Sequence, residues 1–150
     1  MNADSSAPRL VLDTHVVLDW FYFGDCRASA LGGIICSGRG RWMASPPMED
    51  ELRHVLARDV GGRGQGAIDA TIAGFERWAE RADPQSPQIP PGLRCTDPDD
   101  QKFLDLACRL APAVLISADR AVLRLARRAA REGITILRLD DWTHRGVLAG

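Results

Sequence analysis

Apolar positions along the chain fall into two alternating signatures. Short apolar runs lie at Leu10-Val11-Leu12, Trp42-Met43-Ala44 and Ala113 to Ile116, and a fourth, interrupted by Thr135, at Ile134 to Leu137. Runs of this length bounded by polar or turn residues predict strands buried on both faces, over residues 9–13, 41–45, 113–117 and 134–137. Between them apolar residues recur at helical spacing. The pattern predicts helices over 16–21, 27–36, from Pro46 or Pro47 to near Asp59, 67–82, 97–110 and 120–131. In the 67–82 helix Ile68, Ile72, Phe75 and Trp78 form the inward stripe. Strand and helix alternate throughout, so the expected fold is α/β: a three-layer α/β/α sandwich whose central, mainly parallel sheet is flanked by helices.

Composition narrows this frame. The chain has 150 residues, 45% hydrophobic and 26% charged, with a formal net charge of −1. A domain of this length buries roughly 68–70% of its unfolded surface and needs no disulfide staples. The expected organisation is a frayed leader over residues 1–8 followed by a single domain over 9–150. The segment Pro84 to Pro91 reads as an exposed proline-rich connection between two halves of that domain. Gly61 to Gly66 reads as a flexible turn, because it lacks the GK[ST] ending and preceding strand of a phosphate loop. No apolar run approaches the ~20 residues of a membrane span, and the start lacks a basic, apolar secretion signal. A soluble, cytoplasmic protein is expected. Cys26, Cys36, Cys95 and Cys108 form no CxxC pair, which fits reduced, buried thiols.

The basic residues are eighteen arginines and a single lysine, Lys102. Arg120, Arg124, Arg127, Arg128 and Arg131 recur at helical spacing. Such a stripe is either a solvated helix face or a wall that guides a nucleic-acid backbone, and net charge does not separate the two.

The acids carry the chemistry. Two buried strands run straight into aspartates, Asp13 and Asp119, and in an open α/β sheet ligands gather outside the carboxyl ends of strands where the strand order reverses. Either residue alone would also serve as a helix N-cap. Asp97 before Pro98 reads as a cap, and Asp97 and Asp99 suit the positive end of the helix dipole. Asp100 instead heads the inward stripe Asp100, Phe103, Leu104, Ala107 and Ala111. On the preceding helix the stripe Met48, Leu52, Val55 and Leu56 leaves Glu49 and Glu51 on opposite flanks, and periodicity does not choose between them. Carboxylates sharing a crevice repel by roughly 4 kcal/mol per pair at ~4 Å and an effective dielectric of 20, and no lysine or histidine in the acidic motifs offers balance. A divalent cation would. Oxygen-only ligands favour Mg²⁺ or Mn²⁺ and point to phosphodiester or phosphoryl transfer. A phospho-accepting receiver domain would need a lysine at a late strand end, and a haloacid-dehalogenase-type phosphatase a second aspartate where His15 stands.

In these residues the chain resembles the PIN-domain family, and within it the VapC-like toxins of bacterial toxin–antitoxin pairs. Leu12-Asp13-Thr14, Ser45-Pro46 through Glu51-Leu52 with Leu56, Asp97-Pro98-Asp99-Asp100 with Phe103-Leu104, and Ser117-Ala118-Asp119 are similar to the family's four acidic motifs. The resemblance runs from Leu10 to about Trp142 and selects Glu51 over Glu49. It implies a Mg²⁺- or Mn²⁺-dependent endoribonuclease, with Asp13, Asp100 and Asp119 holding one or two ions. Glu51 would be a further ligand or would orient the attacking water. Asp97, Ser117 and His15 are candidate auxiliary residues, and Arg120 and Arg124 candidate RNA contacts. The resemblance also implies an RNA substrate, a cognate antitoxin and a homodimer. The alternative is a catalytically impaired scaffold that binds RNA or protein.

One position departs from the family pattern: His15 stands where Asn usually follows the Asp-Thr pair. This departure is expected to alter the hydrogen bonding that holds Asp13, which bears on the rate and pH optimum rather than on the fold. His54, one turn beyond Glu51, reads as its surface partner, and His144 has no evident partner.

Overall fold

The computed structural model describes residues 6–82 and 89–145. Strand β1 (Arg9–Leu12) leads into α1 (Thr14–Phe21) and α2 (Cys26–Cys36); β2 (Arg41–Ala44) leads into α3 (Pro46–Ala57) and α4 (Gln65–Trp78). After β3 (Glu80–Arg81) come two short 3₁₀ turns (Pro91–Leu93 and Pro98–Asp100), α5 (Gln101–Leu110) and β4 (Ala113–Ile116). The chain continues through α6 (Arg120–Leu123), α7 (Ala126–Arg131), β5 (Ile134–Leu137) and α8 (Leu139–Arg145).

The five strands form one parallel sheet in the order β3-β2-β1-β4-β5. Right-handed crossovers place α1 to α4 on one face and α5 to α7 on the other. In accord with this, α1 packs on α2, α3 and α4, whereas α5 packs on β1 and β4, and α7 on β5. The expected α/β architecture is therefore present, with a sheet that is wholly rather than mainly parallel.

Burial explains the strands. All four residues of β4 are buried, and Leu10, Val11 and Leu12 of β1 are at most 1% exposed, as a sheet covered on both faces requires. On the α1–α4 face the aromatic rings interlock: Trp20 stacks on Phe21 at 4.0 Å between centroids, and both lie near Trp42, which Phe75 meets edge-on at 5.3 Å. Two helical glycines make room for this cluster. A Cβ on Gly32 of α2 would lie 2.2 Å from Trp20 Cε2, and one on Gly74 of α4 would lie 2.3 Å from Phe21 Cε1.

Several boundaries differ from the sequence expectation. The helix expected over 67–82 stops at Trp78, because Ala79 turns extended and Glu80–Arg81 pairs with β2 as an edge strand. Its inward face is led by Thr71 and Phe75, while Ile68, Ile72 and Trp78 are only partly buried. The helix expected over 120–131 is broken, since the Leu125 N–H closes a tight turn on the Val122 carbonyl and both side chains enter the core. The five arginines consequently do not share one regular helix, although all are exposed. Helix α8 was not foreseen. No cysteine is fully buried: Cys26 and Cys36 are exposed, Cys95 and Cys108 half-buried, and all four are free. Of the expected leader, residues 1–5 lie outside the described residues, and the Pro8 carbonyl accepts from the Arg41 N–H at 2.8 Å. Most of the proline-rich connection, 83–88, also lies outside them. Among the described residues no helix is long and apolar enough to cross a membrane.

Candidate metal centre

The strand order reverses between β1 and β4. From β1 the chain proceeds outward to β2 and β3, then returns across the sheet to β4 and continues outward to β5. Leu12 pairs with Ile116 at the carboxyl ends of these two central strands. The next residues, Asp13 and Ser117, therefore emerge side by side, and the Asp13 N–H still donates to the Ile116 carbonyl at 3.1 Å.

Asp13 is 3% exposed. Its Oδ1 accepts from the Val16 N–H at 2.9 Å, capping α1, while Oδ2 accepts from Ser117 Oγ at 2.6 Å and the Ala118 N–H at 3.2 Å. Three of the roughly four acceptor positions of a carboxylate are thus filled. Burial raises its pKa above the usual value, and these hydrogen bonds offset part of the rise. Ser117 is also buried, and its oxygen accepts from the Asp119 N–H at 3.1 Å. Asp119 caps α6 through the Ala121 N–H at 2.8 Å.

From the other face of the sheet, the turn Pro98–Asp100 delivers Asp97 and Asp100. Pro98 opens this turn and the Asp97 carboxylate caps it, accepting from the Asp99 N–H at 3.0 Å. Gln101 anchors the segment: its amide oxygen accepts from the Cys95 N–H at 2.6 Å and its Nε2 donates to the Leu93 carbonyl at 3.1 Å. One carboxylate oxygen from each of Asp97, Asp100 and Asp119 lies within 4.8 Å of the other two. Asp100 shares a hydrogen bond with Asp119, and its Oδ2 is buried without a donor. Burial, that hydrogen bond and the charges of Asp119, Asp97 and Asp13 push its pKa up to about 7. An oxygen-only cluster with an orphaned buried carboxylate oxygen suits a hard divalent cation.

Glu51 stands apart from this cluster. Its Oε2 accepts from Thr14 Oγ1 and its Oε1 lies 3.1 Å from Lys102 Nζ. The absence of a balancing lysine expected from the motifs is corrected here, because α5 turns Lys102 back toward α3. Glu49 faces away to Arg53 and Arg81, and His54 is exposed while Glu51 turns to Thr14 and Lys102. His15 is exposed and lines a groove of about 370 Å³ with Leu18, Tyr22, Phe23 and Val60. Arg120, which directly follows Asp119, and Arg124 are exposed; the side chain of His144 lies outside the described residues.

Sequence reasoning missed Lys102 and Gln101 as parts of the site. The signal for Lys102 was its place two residues after Asp100, on the helix whose inward stripe Asp100 heads. Gln101 carried no comparable signal, because its partners are backbone groups of an irregular loop.

A family model described as PIN domain matches residues 9–121. That span takes in Asp13, Glu51, Asp97, Asp100, Lys102, Ser117 and Asp119. No curated protein matches the chain.

Proposed function

The chain belongs to the PIN-domain family, whose members are typically metal-dependent nucleases, and from that premise we propose that it is an endoribonuclease using Mg²⁺ or Mn²⁺. The observation that carries this reading is the cluster of Asp97, Asp100 and Asp119 within 4.8 Å, with Asp100 Oδ2 buried and without a donor.

In this reading Asp100 and Asp119 hold the ion, with Asp97 beside them and Asp13 lending its negative charge from the strand end. A bound divalent cation supplies a water of lowered pKa and neutralises charge that builds on the phosphate. The chain does the positioning. Ser117 fixes Asp13 and the Asp119 backbone together, Gln101 fixes the loop that carries Asp97 and Asp100, and Thr14 fixes Glu51 at the edge of the crevice. Arg120 and Arg124, both exposed on the segment that follows Asp119, are assigned here as contacts to the RNA backbone, because guanidinium groups suit phosphate recognition. The finer assignment is a cytoplasmic toxin of a toxin–antitoxin pair, a homodimer held in check by its cognate antitoxin. It rests on the similarity of the four acidic motifs to those of the toxin group.

The test is cleavage of a mixed RNA panel by purified protein in Mg²⁺, Mn²⁺ or EDTA, beside Asp100→Asn prepared identically. Metal-dependent cutting lost in the variant supports the reading. A folded protein that binds RNA without cutting it under any metal would replace the nuclease with a binding scaffold.

A further inference from the structure

The nuclease reading leaves open how many cations the site takes, and the answer proposed here rests on that reading. Glu51 has the carboxylate a second ion would need, but both of its oxygens are engaged: Oε2 by the Thr14 hydroxyl and Oε1 by Lys102 Nζ at 3.1 Å. Lys102 is held from three sides. Besides Glu51 it donates to the Asp99 carbonyl, and its ammonium lies 5.1 Å from the centre of the Phe103 ring. Its side chain is 18% exposed, so this is a fixed charge rather than a waving surface lysine.

The position is unusual for the chain. Eighteen of its nineteen cationic residues are arginine, and the one lysine stands beside the acidic centre. An ammonium is a compact charge with three donors, whereas a guanidinium is a wide planar fork. Two donors go to Glu51 and Asp99, which leaves one for a phosphate oxygen. A divalent ion seated on Glu51 would have to expel this ammonium or stand against its positive charge.

We propose that Lys102 is the second cation of the site, its ammonium standing at Glu51 where another divalent ion would otherwise bind, so that the chain works with one divalent ion and one lysine. Glu51 then anchors Lys102 and is not an ion ligand.

The experiment counts Mn²⁺ bound per chain by electron paramagnetic resonance, reading the signal of free aqueous Mn²⁺ during titration of the purified protein. Wild type is expected to bind one ion. Lys102→Met and Lys102→Gln, the second keeping a donor for the Asp99 carbonyl, are each expected to bind two. Adding Glu51→Gln to either variant should return the count to one. In RNA cleavage at saturating Mn²⁺, Lys102→Gln should lose tenfold or more in kcat while KM stays within threefold. Two ions in wild type, or one ion in both lysine variants, would overturn the assignment of Lys102 and leave the nuclease reading intact. No bound ion in wild type would overturn both.

Discussion

Ser117 Oγ donates to Asp13 Oδ2 at 2.6 Å, joining residues 104 positions apart at the carboxyl ends of the two central strands. The same oxygen accepts from the Asp119 N–H. One buried hydroxyl therefore ties the first acidic motif to the last.

Removing that hydroxyl leaves the buried Asp13 carboxylate and the half-buried Asp119 N–H each short of a partner. Ser117→Ala should destabilise the protein by about 1–3 kcal/mol, the usual penalty for a buried unsatisfied polar group. Urea unfolding of the metal-free protein checks this, and a midpoint equal to wild type would refute it.

Asp100 gives the metal-free protein a characteristic pH response. In the folded chain it keeps its proton up to about pH 7, whereas an unfolded aspartate releases it near 3.8. Between those values the folded state binds more protons, so this contribution to stability is full at the lower pH and is lost as pH rises toward 7. Asp13, also raised by burial, acts in the same direction. Thermal melts in EDTA from pH 5 to pH 8 should show wild type losing stability relative to Asp100→Asn. In the same window Mn²⁺ affinity should rise, because binding expels the proton.

Asp119→Asn should separate stability from metal binding. Asparagine retains an oxygen for the Ala121 N–H and offers an amide donor to Asp100 in place of a repelling charge. Higher stability in EDTA and at least tenfold weaker Mn²⁺ binding by calorimetry are expected. An unchanged Mn²⁺ affinity would remove Asp119 from the ion site.

Glycine-to-alanine substitution should have opposite outcomes at a notch under the aromatic cluster and at an open helical position. Gly74→Ala drives a methyl into Phe21 and should cost about 1–3 kcal/mol. Gly33→Ala, in α2 with nothing within 4 Å of the added carbon, should gain up to about 1 kcal/mol from helix propensity. Differential scanning calorimetry of the pair reads both directions, and a shared sign would contradict the packing described.

For RNA, Arg120→Ala should weaken binding and lower the salt slope of the affinity by about one phosphate contact. Arg131→Ala, at the far end of α7, should leave both unchanged. Fluorescence anisotropy over a salt series distinguishes them.

Strands β1, β2 and β4, and the acids after β1 and β4, were legible in the sequence because burial leaves short apolar runs that stop where a polar residue must emerge, and β5 was legible despite its exposed Thr135 because Ile134, Ile136 and Leu137 are buried around it. Strand β3 was not legible. Two residues carry no period, and Glu80 and Arg81 hold their edge through ion pairs to Arg41 and Glu49 rather than through burial. The break at Leu125 was hidden for a related reason, since Val122 and Leu125 keep a spacing of three that suits an α-helix and a tighter turn alike. At the site, Asp13, Asp100 and Asp119 could be singled out from strand ends and a helix stripe. Periodicity did not choose between Glu49 and Glu51, and the structure separates them by their partners, arginines for one and Thr14 with Lys102 for the other.

The pairing of β1 with β4 also sets a clock. During synthesis Asp13 and Glu51 leave the ribosome long before Ser117 and Asp119, and Leu12 has no Ile116 beside it until most of the chain has been made. A nascent or prematurely terminated chain that ends before β4 carries the first acids without the residues that complete their crevice. The arrangement thus delays completion of the crevice until the chain has been made through β4 and Asp119, an order of assembly written in the order of the strands.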